Sequence, residues 1–226
     1  SVCAFAPQRF EMVQAGVETG VRGFWIEKAI ACSVGEARTL EAAVRAAGAS
    51  AIVDHPRRAD GRYRAVKRAI DERTLGALES VHCLMSGNLI HTGSHAWDIL
   101  DYWCGPWATA RAWLDRPVTR PPPASDCGGR GHIIFESGVH AFVSARDKGY
   151  YVFQFDLVFE RGRVQIGNDV CRLLLPRSSP RYSGFVELDE ESVFLPPDPY
   201  PWPIVHDLIR AMETGEEPIM SVRNAV

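Results

Sequence analysis

The sequence predicts an α/β protein: the C-terminal part of a Rossmann-like parallel sheet, followed by an α+β domain with a largely antiparallel open sheet. Three observations predict it. From 1 to 56, strand-like and helix-like stretches alternate at a spacing suited to parallel crossovers. From 132 onward, short apolar stretches follow one another with turn residues between them. The style changes near 54–58, which sets the domains at 1–56 and 57–226.

The elements follow in order. SVCAF reads as a strand, and Arg9 to Glu18 as a helix with Phe10, Val13 and Val17 at spacings of three and four. Gly20 stops that helix, and Gly23 to Ile26 is a second strand. Ser33 caps a helix running from about Gly35 to Ala47, with Glu36 at capping-box spacing. Gly48 ends it, and SAIVDH is a third strand. Helix Arg58–Asp71, strand Ala77–Met85, helix His91–Trp103 and strand Thr109–Leu114 come next. VTRPPPASDCGGRG is a proline- and glycine-rich connection without regular structure. Its Gly128-Gly129-Arg130-Gly131 precedes a strand and not a helix, so it fails the dinucleotide fingerprint and is expected to be a flexible loop. HIIFES and HAFVSAR form a hairpin around Ser137-Gly138. YVFQFDLVFE, RVQIGN and VCRLLL continue a meander, and Pro203 to Glu213 is a closing helix with Gly215 past its end.

Composition excludes several classes. A net charge of −3 leaves no basic excess to neutralise phosphates, which argues against nucleic acid as a partner. The local cluster Arg57, Arg58, Arg62, Arg64, Lys67, Arg68 is interleaved with Asp60, Asp71 and Glu72 and is expected to be a solvated helix face. The six cysteines form no C-x-x-C pair, so neither structural zinc nor a redox motif is indicated, and a reduced, cytoplasmic setting is the default. No apolar run reaches 18 residues and no basic segment precedes an apolar core, which indicates neither membrane span nor secretory signal. The chain opens directly in SVCAFAP and is expected to be a fragment at both ends.

Two stretches carry candidate chemistry. In RGFWIEKAIACSVG a short apolar strand delivers Glu27 and Lys28 to the C-terminal edge of the parallel sheet, where ligands of open α/β folds bind. A lysine there stabilises a developing alkoxide; the alternative is an exposed pair that merely ends a strand. In SGNLIHTGSHAWDIL, His91, His95 and Asp98 stand at spacings of four and three at a helix start and so share one face. His95 suits proton transfer from a hydroxyl near neutral pH, with His91 or Asp98 orienting its ring; the alternative is a histidine satisfied in a core. The H-x-x-x-H spacing suits zinc, but the glutamate of the metalloprotease signature is absent, and no metal is expected.

The order strand–EKA–helix–strand–HPRR–helix–strand–GNLIHTGSHAWD, then an antiparallel sheet, resembles the glucose–fructose oxidoreductase / inositol dehydrogenase (Gfo/Idh/MocA) family, at motif level from Ser1 to Trp103 and in pattern only to Gly215. The resemblance implies an oxidoreductase that uses NAD or NADP on a sugar, cyclitol or related hydroxy compound, with a C-terminal sheet used for homo-oligomer contacts. It puts the family's lysine on Lys28 and its acid–base histidine on His95, with His91 and Asp98 completing the catalytic set. It places Pro7, Glu27 and Lys28 at the cofactor, and Arg57, Arg58, His91 and His55 near the substrate. The proline after the family's lysine is Ala29 here, and the aspartate many members carry four residues before the histidine is His91. The first β-α-β unit with G-x-G-x-x-G is expected upstream of Ser1, so the 226 residues alone are expected to bind the cofactor weakly or not at all. A non-catalytic interaction module of the same fold is the alternative.

Overall fold

The structure, a computed structural model, describes residues 1–119, 125–191 and 200–225. The chain divides into two compact units, Ser1–Asp60 with Asp198–Val226, and Gly61–Pro197.

In the first unit, helix α1 (Ala6–Glu18), strand β1 (Gly23–Ile26), helix α2 (Val34–Ala46) and strand β2 (Ser50–Val53) alternate as predicted. β1 and β2 are parallel, in register from Gly23 opposite Ser50 to Ile26 opposite Val53. SVCAF is not a strand: only Val2 forms an isolated parallel bridge, to Ile26. Pro7 sits in the first turn of α1 with its φ already helical, so the helix begins at Ala6, directly after that segment. The buried stripe of α1 is Arg9 and Val13, with Phe10 and Val17 only partly buried against the core. Ser33 caps α2 as predicted, its hydroxyl accepting from the Glu36 N–H at 3.2 Å. The Glu36 carboxylate accepts in return from the Cys32 N–H at 3.0 Å, one residue before the cap. Phe24, Ile26, Val44, Leu40 and Val53 form the core between the strands and these helices. A second small cluster packs Ile52 on Ile204 of the C-terminal helix Trp202–Thr214 and on Met220.

The second unit is an eight-stranded sheet with helices on one face. Its elements are α3 (Gly61–Asp71), β3 (Leu78–Ser86), α4 (Gly93–Cys104), β4 (Trp107–Leu114), β5 (Gly129–Phe135), β6 (His140–Arg146), β7 (Phe153–Phe159), β8 (Gly162–Gly167), β9 (Cys171–Ser178) and β10 (Val186–Glu191). The order is β10-β9-β8-β7-β3-β6-β5-β4. Every pair is antiparallel except β3 with β6, which run parallel with Ser80 opposite His140. The strands alternate: Val81, Cys83 and Met85 of β3 and Phe153, Phe155 and Leu157 of β7 face Ile99, Leu100 and Trp103 of α4. Trp103 stacks on Tyr63 of α3 at 5.6 Å and donates its indole N–H to the Tyr63 carbonyl at 3.2 Å. Burial, with Asp101 nearby, pushes the Cys104 thiol up to about 12, so this cysteine acts as a small apolar side chain.

Two expectations are corrected here. The glycine cluster is not a flexible loop, since β5 starts at Gly129 and pairs with both β4 and β6. A Cβ at Gly129 would lie 2.7 Å from the Trp113 carbonyl oxygen, so glycine permits the close strand approach there. Residues 120–124 of the preceding connection lie outside the described residues. The strand β10 was also not foreseen. It carries VELDEE, four of whose six residues are acidic, and pairs with β9 through ion pairs as well as backbone. Arg177 meets Asp189 at 2.6 Å and Arg172 meets Glu190 at 3.6 Å.

Candidate functional site

The C-terminal edge of the β1–β2 pair gathers most of the predicted groups of the first unit. Ile26 and Val53 are register partners, so Glu27-Lys28 and Asp54-His55 leave adjacent strands at the same edge. The Asp54 N–H still donates to the Ile26 carbonyl at 2.8 Å, and the Glu27 N–H to the Val2 carbonyl at 3.0 Å. Lys28 is only 8% exposed, which excludes the alternative of an exposed pair ending a strand. The Lys28–Ala29 peptide is cis.

His55 is 7% exposed, and Arg58 is buried too. Burial, reinforced by Arg58, Lys28 and Arg57, lowers the His55 imidazole to about 3, so it is neutral at physiological pH. The burial of Arg58 and Arg62 corrects the expectation that the basic cluster is a solvated face throughout. Arg58 lies in a single tight turn, Pro56–Arg58, and not in α3, so the helical periodicity assumed for the cluster does not apply to it.

Sequence reasoning missed three side chains at this edge. Arg9, 5% exposed, donates from Nε to the Ala4 carbonyl at 2.8 Å and from a terminal nitrogen to the Ala29 carbonyl, bracing the turn that carries Lys28. Burial lowers its pKa, while Glu27 acts in the opposite sense. Asp54 and Tyr200 are the other two: the Tyr200 hydroxyl donates to Asp54 Oδ2 at 3.4 Å, and its ring meets Trp25 edge-on at 6.4 Å. The only sequence signal was Asp54's place directly after an apolar strand. Pro7 is exposed in the first turn of α1.

In the second unit, α4 presents His95, half-buried, and Asp98, 7% exposed, one turn apart on one face. His91 does not share that face. It is exposed on the turn before α4, whose first residue is Gly93. The Asp126 carboxylate accepts the N–H groups of Ile90 and His91, at 3.0 and 2.8 Å, and so holds those residues in the turn. A depression of about 690 Å³ lies elsewhere, on the sheet face away from α4, lined by His82, Trp113, Arg130, His132, Phe142 and Asp156 among others. There Phe142 is sandwiched by His132 at 4.8 Å and His82 at 5.1 Å, and His132 Nε2 lies 3.0 Å from His140 Nδ1. Among the described residues, no group of three or more His, Cys, Asp or Glu side chains is arranged to hold a metal ion, and no helix is long and apolar enough to cross a membrane.

No family model matches the chain, and no curated protein matches it. Solved structures do. The crystal structure of a protein from Desulfitobacterium hafniense DCB-2 superposes with a TM-score of 0.81 at 15% identity, over 97% of this chain and 71% of that one. Levoglucosan dehydrogenase in complex with NADH and levoglucosan gives 0.78 at 16%, over 99% and 73%. The WlbA dehydrogenase of Bordetella pertussis, in complex with NADH and UDP-GlcNAcA, gives 0.73 at 15%, over 99% and 71%. The fold is thus one found among dinucleotide-dependent oxidoreductases: a mixed α/β chain with a large, mostly antiparallel sheet. The particular likeness is to structures of sugar-type dehydrogenases.

Proposed function

We propose that this chain belongs to an NAD(P)-dependent oxidoreductase that transfers a hydride between a nicotinamide cofactor and a sugar, cyclitol or related hydroxy compound. The observation that carries it is the buried Lys28 at the ligand-binding edge of the parallel strands, next to a neutral His55. Such an edge fits a nicotinamide ring, and Pro7, Glu27 and Lys28 are the residues that would hold it. The bound cofactor would supply the hydride acceptor or donor. Lys28, withdrawn from water, stabilises negative charge developing on the substrate oxygen. His95 removes the hydroxyl proton, with Asp98 or His91 orienting its ring. Arg57, Arg58 and His91 hold further substrate oxygens. In this scheme 1–56 is the remaining part of the dinucleotide domain, and 57–226 serves substrate and oligomer contacts.

The test is a panel of sugars and polyols with NAD and with NADP, assayed on the whole gene product by the appearance of reduced nicotinamide. Turnover of at least one substrate is the expected result. Silence across the panel with both cofactors would favour the non-catalytic interaction module.

The open sheet face speaks for a homo-oligomer in either case. Eight strands about 4.8 Å apart, each about seven residues long, present roughly 900 Å², close to one partner's share of a standard interface. Phe142, 42% exposed, lies near its middle. We propose that a second copy of this chain covers this face. Sedimentation is expected to give a dimer or larger, and Phe142→Glu to give a monomer. A monomeric wild type at micromolar concentration would remove the proposal.

A further inference from the structure

We infer that Asp54, held by Tyr200, is a positioning residue for Lys28, a role that rests on the function proposed above. Asp54 directly follows Val53 and Lys28 lies two residues past its register partner Ile26, so both leave the same edge of the β1–β2 ladder, one residue out of step. Asp54 Oδ2 accepts from the Tyr200 hydroxyl. Its Oδ1 is buried and has no hydrogen-bond partner among the described residues. A carboxylate oxygen withdrawn from water without a donor is costly, and a nearby ammonium offsets that cost electrostatically. Asp54 in turn favours the charged form of that ammonium.

The surrounding groups divide in sign. From β1, Glu27 opposes ionisation of Asp54, while Lys28 and the Trp25 indole favour it. From the C-terminal segment, the Tyr200 hydroxyl favours it as well. Burial outweighs these contributions and holds the carboxyl above the usual aspartate range. On its own strand end, His55 is neutral and Arg57 and Arg58 are cationic. Lys28 thus acts electrostatically on both Asp54 and His55, and Arg57 and Arg58 act on His55 alongside it. Asp54 is the counterweight that keeps the ammonium protonated and in place, as a group that stabilises an alkoxide requires.

Competitive acylation of lysines with acetic anhydride over a pH series, read peptide by peptide by mass spectrometry, tests this on the 226-residue chain. The midpoint of the Lys28 rate profile reports its proton affinity, and the plateau at high pH reports its accessibility. A merely structural role for Asp54 would move the plateau and leave the midpoint. Asp54→Asn is expected to lower the midpoint, with an approximately threefold or larger gain in rate below it. Tyr200→Phe is expected to lower it by less, and Asp54→Glu to hold it closer to wild type than Asn does. A midpoint in Asp54→Asn at or above wild type overturns the inference, as does Asp54→Glu falling as far as Asn. Should Asp54→Asn fail to fold, an unmoved midpoint in Tyr200→Phe overturns it. No cofactor or substrate is involved, so failure of the oxidoreductase assignment would show in the polyol panel and not here.

Discussion

Acidification from about pH 6.5 toward pH 5 is expected to weaken the unit that contains His55, by roughly 2 kcal/mol through that one side chain. The folded imidazole is lowered to about 3 from an ordinary value of 6.5, chiefly by burial and then by Arg58, Lys28 and Arg57. The unfolded chain therefore binds a proton that the folded chain refuses. Stability is fully present above about 6.5 and is lost as the pH falls toward about 3, at about 1.4 kcal/mol per pH unit. Asp54 works in the opposite sense, because its carboxyl is raised by burial. That contribution is common to wild type and a His55 variant, so their difference between about pH 6.5 and 5 isolates the histidine. Urea unfolding of wild type and His55→Gln across that window measures the difference in slope. Parallel slopes would show that His55 is not held neutral in the fold.

Lys28→Met is expected to lower turnover by about 10² to 10³, the scale of losing one preorganised charge at a developing oxyanion. The comparison belongs to a substrate that the wild-type protein turns over. Lys28→Arg should restore little, because a planar guanidinium cannot occupy the place of a compact ammonium on a buried strand end. His95→Ala is expected to cost about 10² to 10⁴, with a changed pH profile as the sign that a proton-transfer group is gone. The double variant should fall well short of the product of the two losses if both groups serve one transition state. A Lys28→Met protein with turnover within about threefold of wild type would end the assignment of Lys28.

Much of the fold was legible because periodicity and punctuation agree locally. Ser33 with Glu36, Gly48 after α2, and Ser137-Gly138 between two alternating strands each state a boundary within a few residues. Non-local facts were not legible. The parallel pairing of β3 with β6 joins strands more than fifty residues apart, and no local pattern encodes it. VELDEE looks like solvent-exposed chain because its partners are arginines on β9 and not an apolar layer. Among candidate site residues, Lys28 stands out in the sequence because it follows an apolar strand and Asp98 because it falls on a helix face, and both are buried. Arg9 was passed over because a charged residue on a short helix is ordinarily exposed, and the two carbonyls it caps come from turns on either side. Tyr200 was invisible, since 146 residues separate it from Asp54.

The acidic edge strand β10 has a further consequence. Among the described residues the sheet ends at β10, and the outer backbone groups of an edge strand could template chain after chain into fibrils. Glu187, Asp189, Glu190 and Glu191 line that border, and an identical border brought alongside would meet the same negative charge. Neutralising those carboxylates, by low pH or by substitution to glutamine, would remove the electrostatic guard that opposes growth of the sheet from that side.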